Sequence, residues 1–199
     1  EFYAKNYVKY VSIFRNHGLE AGASLSHAHT QLIATPITPR NIEDELKASR
    51  EIFKKKKVCA FCEIIEQEER GPRFVWKNEH FVVFAPWASV DPFEFWVFPR
   101  RHQCCLLDMS QDEVKALAKT IRVSLGGLKT LFNDPPYNFG FHQITCGASE
   151  HYHWHLEVYP RLTIWAGFEK SMGMFINVVS PEDAAKHLRE VMQEEEKTI

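Results

Sequence analysis

Two short histidine runs constrain the fold of this chain most: Ser26-His27-Ala28-His29-Thr30-Gln31 and His151-Tyr152-His153-Trp154-His155-Leu156-Glu157. They hold five of the ten histidines in 199 residues, a clustering that chance explains poorly. In each, histidines recur at every second position and a polar residue follows at the same spacing, so an extended backbone sets them on one face. His27-x-His29-x-Gln31 and His153-x-His155-x-Glu157 therefore predict two comparable strand-like segments. An internal duplication is the simplest account of the echo.

The rest of the chain supplies strands and helices around these runs. Residues 10–15 alternate and are rich in β-branched and aromatic types, and Asn16-His17-Gly18 follows as turn chemistry. Asn41 is placed to cap a helix over 42–56 whose basic end, Lys54 to Lys57, suits the helix dipole. Strands are expected at 73–76, 80–86 and 93–98. Ser110-Gln-Asp-Glu113 is a capping box that opens a further helix, which the Gly126-Gly127 pair would weaken or bend. Strands at 137–143 and 152–159 follow, and Ser180-Pro181 starts a last helix to about residue 195. Strands, helix, strands, helix predicts an α+β domain with a mostly antiparallel sheet and flanking helices.

Composition narrows the function. With 45% hydrophobic and 25% charged residues the chain is an ordinary globular one. Its 24 Lys and Arg against 26 Asp and Glu leave a net charge of −2, which supplies no general attraction for phosphate backbones or anionic lipid. Nucleic acid and membrane partners are not expected, no apolar run is long enough to span a bilayer, and the first residues are not a signal peptide. The chain reads as soluble and cytoplasmic. It lacks an initiator Met and opens within an amphipathic segment, so it is expected to be the later part of a longer protein.

Cys59-Ala-Phe-Cys62 has the spacing at which two thiolates share one tetrahedral zinc, although a redox pair or two buried cysteines fit the same spacing. His102 and one member of the 151–155 run are candidates to complete a site. Cys104, Cys105 and Cys146 are read as buried or free thiols, and Trp154 and Trp165 as core aromatics. In the first run, polar groups after a Gly, Ala and Ser loop suit an active-site strand in which one imidazole is a nucleophile. Its attack on phosphorus would give a phosphoramidate. Its other nitrogen should then donate to a backbone carbonyl, fixing the tautomer.

Phe14-Arg-Asn-His-Gly18, Gly22-Ala-Ser-Leu-Ser-His-Ala-His-Thr-Gln31 and Tyr159-Pro-Arg-Leu162 together resemble the galactose-1-phosphate uridylyltransferase branch of the histidine triad superfamily. The resemblance implies a histidine-triad-like sheet in two halves, with residues 1–45 ending an incomplete first half and 46–199 forming the second. It implies ping-pong transfer of a uridylyl group from UDP-glucose to galactose 1-phosphate through His29, with Gln31 bonding the transferred phosphate. Asn16 and Ser24 would contact the nucleotide, and Glu169 and Asn177 the hexose. It further implies zinc held by Cys59, Cys62, His102 and His153, with His27 as ligand of another zinc whose remaining ligands come from a segment absent here. A second metal, such as iron, would sit on Glu45, His142, His155 and Glu157, where one His of the family pattern is replaced by Glu. Asn177 looks closer to phosphorylase relatives that act on ADP-glucose, so transfer of adenylyl to phosphate is the alternative reaction. A non-catalytic zinc-stabilised nucleotide-binding module is the alternative from another class. The family also suggests a homodimer.

Overall fold

The computed structural model describes residues 2–145 and 151–199. One seven-stranded antiparallel sheet, in the order β2-β1-β6-β7-β5-β4-β3, organises the chain. Its strands are β1 (Tyr10–His17), β2 (Gln31–Thr35), β3 (Phe74–Lys77), β4 (Phe81–Phe84), β5 (Phe95–Pro99), β6 (Tyr137–His142) and β7 (His155–Pro160). Helices α1 (Arg40–Lys56) and α2 (Ala60–Glu69) precede β3, α3 (Gln111–Phe132) joins β5 to β6, and α4 (Gly167–Met172) and α5 (Pro181–Lys197) end the chain. The expected α+β class and antiparallel sheet are present.

Strand alternation divides the core into two layers. Val97, Tyr137, Phe139, Phe141, Leu156 and Val158 turn toward α3 and α5, where they meet Leu117, Val123, Leu128, Leu188 and Met192. The opposite sheet face carries Tyr10, Val82, Phe84 and Phe98, which pack with Ile42 of α1 and Phe61 and Ile65 of α2. The second layer is more polar: His142 pairs in register with His155 and Gly140 with Glu157, so β6 and β7 present ionisable groups to α1.

Three local expectations are corrected. The first helix begins at Arg40, with Pro39 rather than Asn41 at the capping position. The Pro39 ring holds φ at −60°, and its carbonyl accepts from Glu43 N at 3.0 Å, so no side-chain cap is used. His27 and His29 lie in an irregular segment, and only Gln31 of that run enters a strand. The β2 ladder on β1 runs from Tyr10 opposite Thr35 to Phe14 opposite Gln31 and ends there, so the chain before Gln31 lies outside the sheet. α3 runs continuously through the glycine pair. A Cβ on Gly127 would stand 2.9 Å from Met192 Cγ and 3.3 Å from Met192 N, so the glycine permits close approach of α5. Finally, Cys59, Cys62 and Cys104 are free thiols, but Cys105 is disulfide-bonded, a pairing for which sequence spacing carries no signal. Cys146 lies outside the described residues.

The expected capping box at the start of α3 is present and extended. Glu113 accepts from Ser110 N at 2.7 Å, from Arg101 Nε and Nη2 at 2.9 Å each, and from Gln103 Nε2 at 2.8 Å. It thereby ties the 101–110 segment, which carries His102, to the helix. The Arg101 guanidinium above all holds the buried Glu113 carboxyl down to about 2, against burial, which acts the other way.

Gly127→Ala should lower stability by about 1 kcal/mol or more in denaturant unfolding, because contact with Met192 outweighs the helix propensity gained. Glu113 keeps its charge in the folded state at pH values where the unfolded chain takes up a proton. Its contribution is complete above the ordinary glutamate range and is lost as pH falls from about 4.5 toward about 2. Glu113→Gln should therefore cost on the order of 2 kcal/mol at neutral pH and flatten stability across that acid window, measured by unfolding at stepped pH.

Candidate functional site

Two clusters of ligating side chains form on the α1 and α2 side of the sheet. Cys59, at the N-terminal end of α2, and Cys62, on its first turn, meet His102 and His153, and one donor atom from each lies within 4.8 Å of the others. Cys62 Sγ is 3.3 Å from His102 Nδ1 and 3.5 Å from His153 Nδ1. Cys59 Sγ lies 3.6 Å from the His151 carbonyl oxygen. His153 is fully buried, and its Nε2 has no hydrogen-bond partner among the described residues. The hydrogen bond from Cys62 is the main reason the Cys59 thiol titrates far below its ordinary range, with His102 and His153 adding to it. The Cys62 thiol is raised in turn by the neighbouring Cys59 and by burial. Two adjacent sulfurs cannot both stay anionic without a cation, so one keeps a proton that a metal would replace. Two thiolates and two imidazoles, with Cys59 and His153 buried and Cys62 and His102 half-buried, are the donor set that suits zinc.

The second cluster joins Glu45 of α1 to His142, His155 and Glu157, again with donor atoms within 4.8 Å of one another. His142 Nδ1 donates to Glu45 Oε1 at 2.8 Å, and Tyr152 OH donates to Glu45 Oε2 at 2.8 Å. His155 Nε2 is 3.1 Å from Glu157 Oε1, and Tyr159 OH also donates to Glu157. Burial alone would lower the His142 pKa, but Glu157, Glu45 and Glu94 outweigh it and raise it to about 9. His142 is thus cationic at neutral pH and balances part of the local negative charge. Carboxylates with imidazoles form a harder donor set than the sulfur cluster and suit metals that prefer oxygen and nitrogen.

This cluster borders a cavity of about 450 Å³ walled by Trp96, Tyr159, Trp165 and Phe175, with Asp91, Glu94 and Arg161 among its polar groups. Burial pushes Glu94 up to about 7, and Glu157 adds to the effect. Trp165 was expected in the core but is half-buried in this wall. It donates to Asp91 Oδ1 at 3.1 Å, and the Arg161 guanidinium sits 5.1 Å from its ring centroid.

The first histidine run lies at the other end of the sheet. His29 Nδ1 donates to the His27 carbonyl at 2.9 Å, the tautomer-fixing bond anticipated from sequence. His155 Nδ1 makes the same bond to the His153 carbonyl at 3.2 Å. A cavity of about 590 Å³ is lined by Asn16, His17, Gly18, Ser24, His27 and Asp134 among others, while His29 and Gln31 are outside its lining. Gly18 has φ +81°, and a Cβ there would stand 2.8 Å from Pro136 Cβ, so the turn that enters this loop needs glycine. Asn16 Oδ1 accepts from Asn138 Nδ2 at 2.8 Å, which orients the Asn16 amide. Asn138, missed in the sequence, is legible only once register places it opposite Asn16.

Of the anticipated site residues, eight are gathered into the two clusters, and Asn16, Ser24 and His27 share the larger cavity. His27 joins neither cluster among the described residues. Glu169 accepts from Ala166 N at 2.9 Å, as a cap for α4. Asn177 Nδ2 donates to the Ser89 and Asp91 carbonyls at 3.2 and 3.3 Å and ties its segment to the cavity rim.

An antiparallel sheet with helices on its faces and paired His-x-His segments defines a histidine-triad-type fold. A zinc-bound histidine triad family protein from Mycobacterium smegmatis shares the fold, at TM-score 0.52 and 17% identity over 71% of this chain and 97% of that one. The chain belongs to the family described as a domain of unknown function, DUF4921, which matches residues 1–198. It is 37% identical over 195 residues to galactose-1-phosphate uridylyltransferase of Thermotoga maritima, covering 93% of this chain and 61% of the relative. It is 36% identical over 191 residues to ADP-glucose phosphorylase of Arabidopsis thaliana, covering 92% of this chain and 52% of the relative. A crystal structure of an ADP-glucose phosphorylase from that plant, with bound ADP-glucose, superposes at TM-score 0.87 and 31% identity over 94% of this chain and 61% of that one. The chain thus spans about half to three-fifths of the length of these relatives. Among its described residues no helix is long and apolar enough to cross a membrane.

If the sulfur cluster holds zinc, a strong chelator should remove about one equivalent and lower the melting temperature by several degrees, with zinc restoring it. Cys62→Ser should abolish that zinc-dependent increment, as read by metal analysis together with thermal unfolding.

Proposed function

We propose that this chain carries the nucleophile-bearing part of a nucleotidyltransferase that passes a nucleoside monophosphate from a nucleotide sugar, through His29, to a phosphate-bearing acceptor. The observation that carries the reading is the His29 Nδ1 to His27 carbonyl hydrogen bond. It reserves the Nε2 lone pair for attack, which an imidazole free to exchange tautomers does only part of the time.

In the first half-reaction Nε2 attacks the α-phosphorus and the bond from phosphorus to the bridging oxygen breaks. Sugar phosphate leaves with the electron pair. In the second, an acceptor phosphate oxygen attacks the same phosphorus and returns the pair to Nε2. The leaving oxygen already belongs to a phosphate of low basicity, so no strong general acid is required, and positioning with charge stabilisation carries most of the work. Gln31, at the start of β2, suits the intermediate because an amide donates a hydrogen bond without delivering a proton. The oriented Asn16 amide and the Ser24 hydroxyl, both on the 590 Å³ cavity, are proposed to contact the nucleotide. Glu169 and Asn177 are proposed for the hexose.

Zinc on Cys59, Cys62, His102 and His153, with a second metal such as iron on Glu45, His142, His155 and Glu157, would fix the strand and loop geometry behind the site. We assign no step of the transfer to either. The exposed apolar side chains Ile164, Met172, Met174, Phe175, Ile176 and Val178 support a homodimer, since a run of this kind needs a covering surface. The fold, with no membrane-crossing helix among its described residues, is compatible with the expected cytoplasmic setting.

The preferred donor is UDP-glucose with a hexose 1-phosphate acceptor. ADP-glucose with inorganic phosphate is the second reading, favoured by a relative of nearly equal identity that is named for that reaction. Native mass spectrometry at neutral pH, after separate incubation with each nucleotide sugar, should reveal a covalent uridylyl or adenylyl adduct. His29→Ala should abolish the adduct and reduce exchange of label between sugar phosphate and nucleotide sugar by about 10³-fold or more. Gln31→His should increase loss of the adduct to water. Absence of an adduct with either donor would favour the non-catalytic binding module.

A further inference from the structure

His153 and His155 are two residues apart on one segment yet serve different clusters: His153 stands with Cys59, Cys62 and His102, and His155 with Glu45, His142 and Glu157. One hydrogen bond joins them directly, from His155 Nδ1 to the His153 backbone carbonyl at 3.2 Å. That bond leaves Nε2 as the His155 atom that faces Glu157. The position of the His153 backbone therefore sets the tautomer and the aim of a ligand in the neighbouring cluster.

Rings close the remaining gaps. Phe98 stacks on His155 with centroids 4.6 Å apart and meets His153 edge-on at 5.9 Å. Phe61, between Cys59 and Cys62 in the chain, lies 5.4 Å from both Tyr152 and His155. Tyr152, next to His153, donates to Glu45. Moving His153 or the start of α2 would therefore disturb two of the four groups in the carboxylate cluster, His155 directly and Glu45 through Tyr152.

We infer that His153 is a positioning residue that couples the two clusters: cation binding by the sulfur tetrad locks the His153 backbone and pre-orders Glu45, His142, His155 and Glu157 for a second cation. The inference rests on reading both clusters as metal sites, and it adds an order of loading that neither donor set implies alone. Without a metal, the members of the tetrad meet one another through contacts of 3.3 and 3.5 Å at Cys62 Sγ. Metal–ligand bonds are shorter and stiffer and would restrain the His153 backbone more tightly before the second cation arrives, lowering the ordering cost of the second event.

The test uses the metal ions themselves on the wild-type chain. Cobalt(II) at thiolates gives a ligand-to-metal charge-transfer band that reports the sulfur tetrad alone, whereas manganese(II) prefers oxygen and nitrogen donors and is followed by the loss of its free-ion electron paramagnetic resonance signal. Manganese should bind on the order of tenfold more tightly when one equivalent of cobalt already occupies the thiolates. Linkage requires saturating manganese to tighten cobalt at the thiolates by the same factor, a second reading that needs no variant. In Cys62→Ser, cobalt should no longer alter manganese affinity, and nitrogen-15 spectra of the histidines should show that the His155 Nδ1 proton has lost its protected signal. Equal manganese affinity with and without cobalt, while both ions bind, would overturn the coupling and leave the metal sites standing. Absence of the thiolate band, or of manganese uptake, would overturn the metal reading and the coupling with it.

Discussion

The alternation of β7 is the constraint on which the rest of the structure depends. Leu156 and Val158 point into the layer made by α3 and α5, and Trp154, just before the strand, is buried in the same layer. Each contributes about 1.5 to 3 kcal/mol of burial, so a one-residue slip would drive all of them into the more polar layer beneath α1 and send His155 and Glu157 into an apolar one. The hydrophobic side of the strand thereby fixes the polar side. His155 and Glu157 are held beneath α1 with 1% and 6% of their surfaces exposed. Ionisable groups can be kept there only because the apolar groups between them cannot move.

That placement carries an electrostatic cost, and the neighbouring elements are arranged to offset it. Glu45, Glu94 and Glu157 approach one another on one sheet face, and burial works to drive protons back onto Glu45 and Glu94. Protonated His142 answers two of them, and its Nδ1 reaches Glu45 on α1. Glu94 takes another route: it accepts from the amides of Val90 and Asp91 and from Trp96 Nε1, and its pKa still rises to about 7. The carboxylates are thus not equivalent. Glu45 and Glu157 face donors that a cation could replace, whereas Glu94 is committed to shaping its own loop and the cavity wall.

Much of this was legible in the sequence because the relevant signals are local. A Cys-x-x-Cys pair and an [ST]-x-x-E box each show within a few residues and reappear in the structure near their predicted place, whereas the period-2 histidines reach a strand only in the second run, at His155. The legible ligand sets beyond those came from family resemblance: spacing alone could not have united Glu45 with His142, which are 97 residues apart. What stayed hidden depends on register and on tertiary packing. Asn138 matters because β6 sets it against Asn16, and Gly127 matters because α5 crosses there. The Asn41 cap failed for the converse reason, since a proline two residues earlier already supplied the geometry that a side-chain cap would have given.

The two histidine runs share a hydrogen bond and differ in everything around it. In the second run the His153 and His155 imidazoles are buried, flanked by rings and by clustered Cys, His and Glu side chains, so neither can approach a substrate without dismantling the core. In the first run the same Nδ1 to carbonyl bond occurs in an irregular segment at the sheet edge, where His27 is exposed and His29 only partly covered. One local geometry therefore supports two outcomes. Enclosed among Glu45, His142 and Glu157, the tautomer-fixed His155 imidazole turns its Nε2 to a carboxylate; at the open edge, the His29 Nε2 is left for the chemistry proposed above. Burial of the surroundings, rather than the motif itself, separates the two settings, and β2 ends its ladder at Gln31, so the residues before it stay outside the sheet.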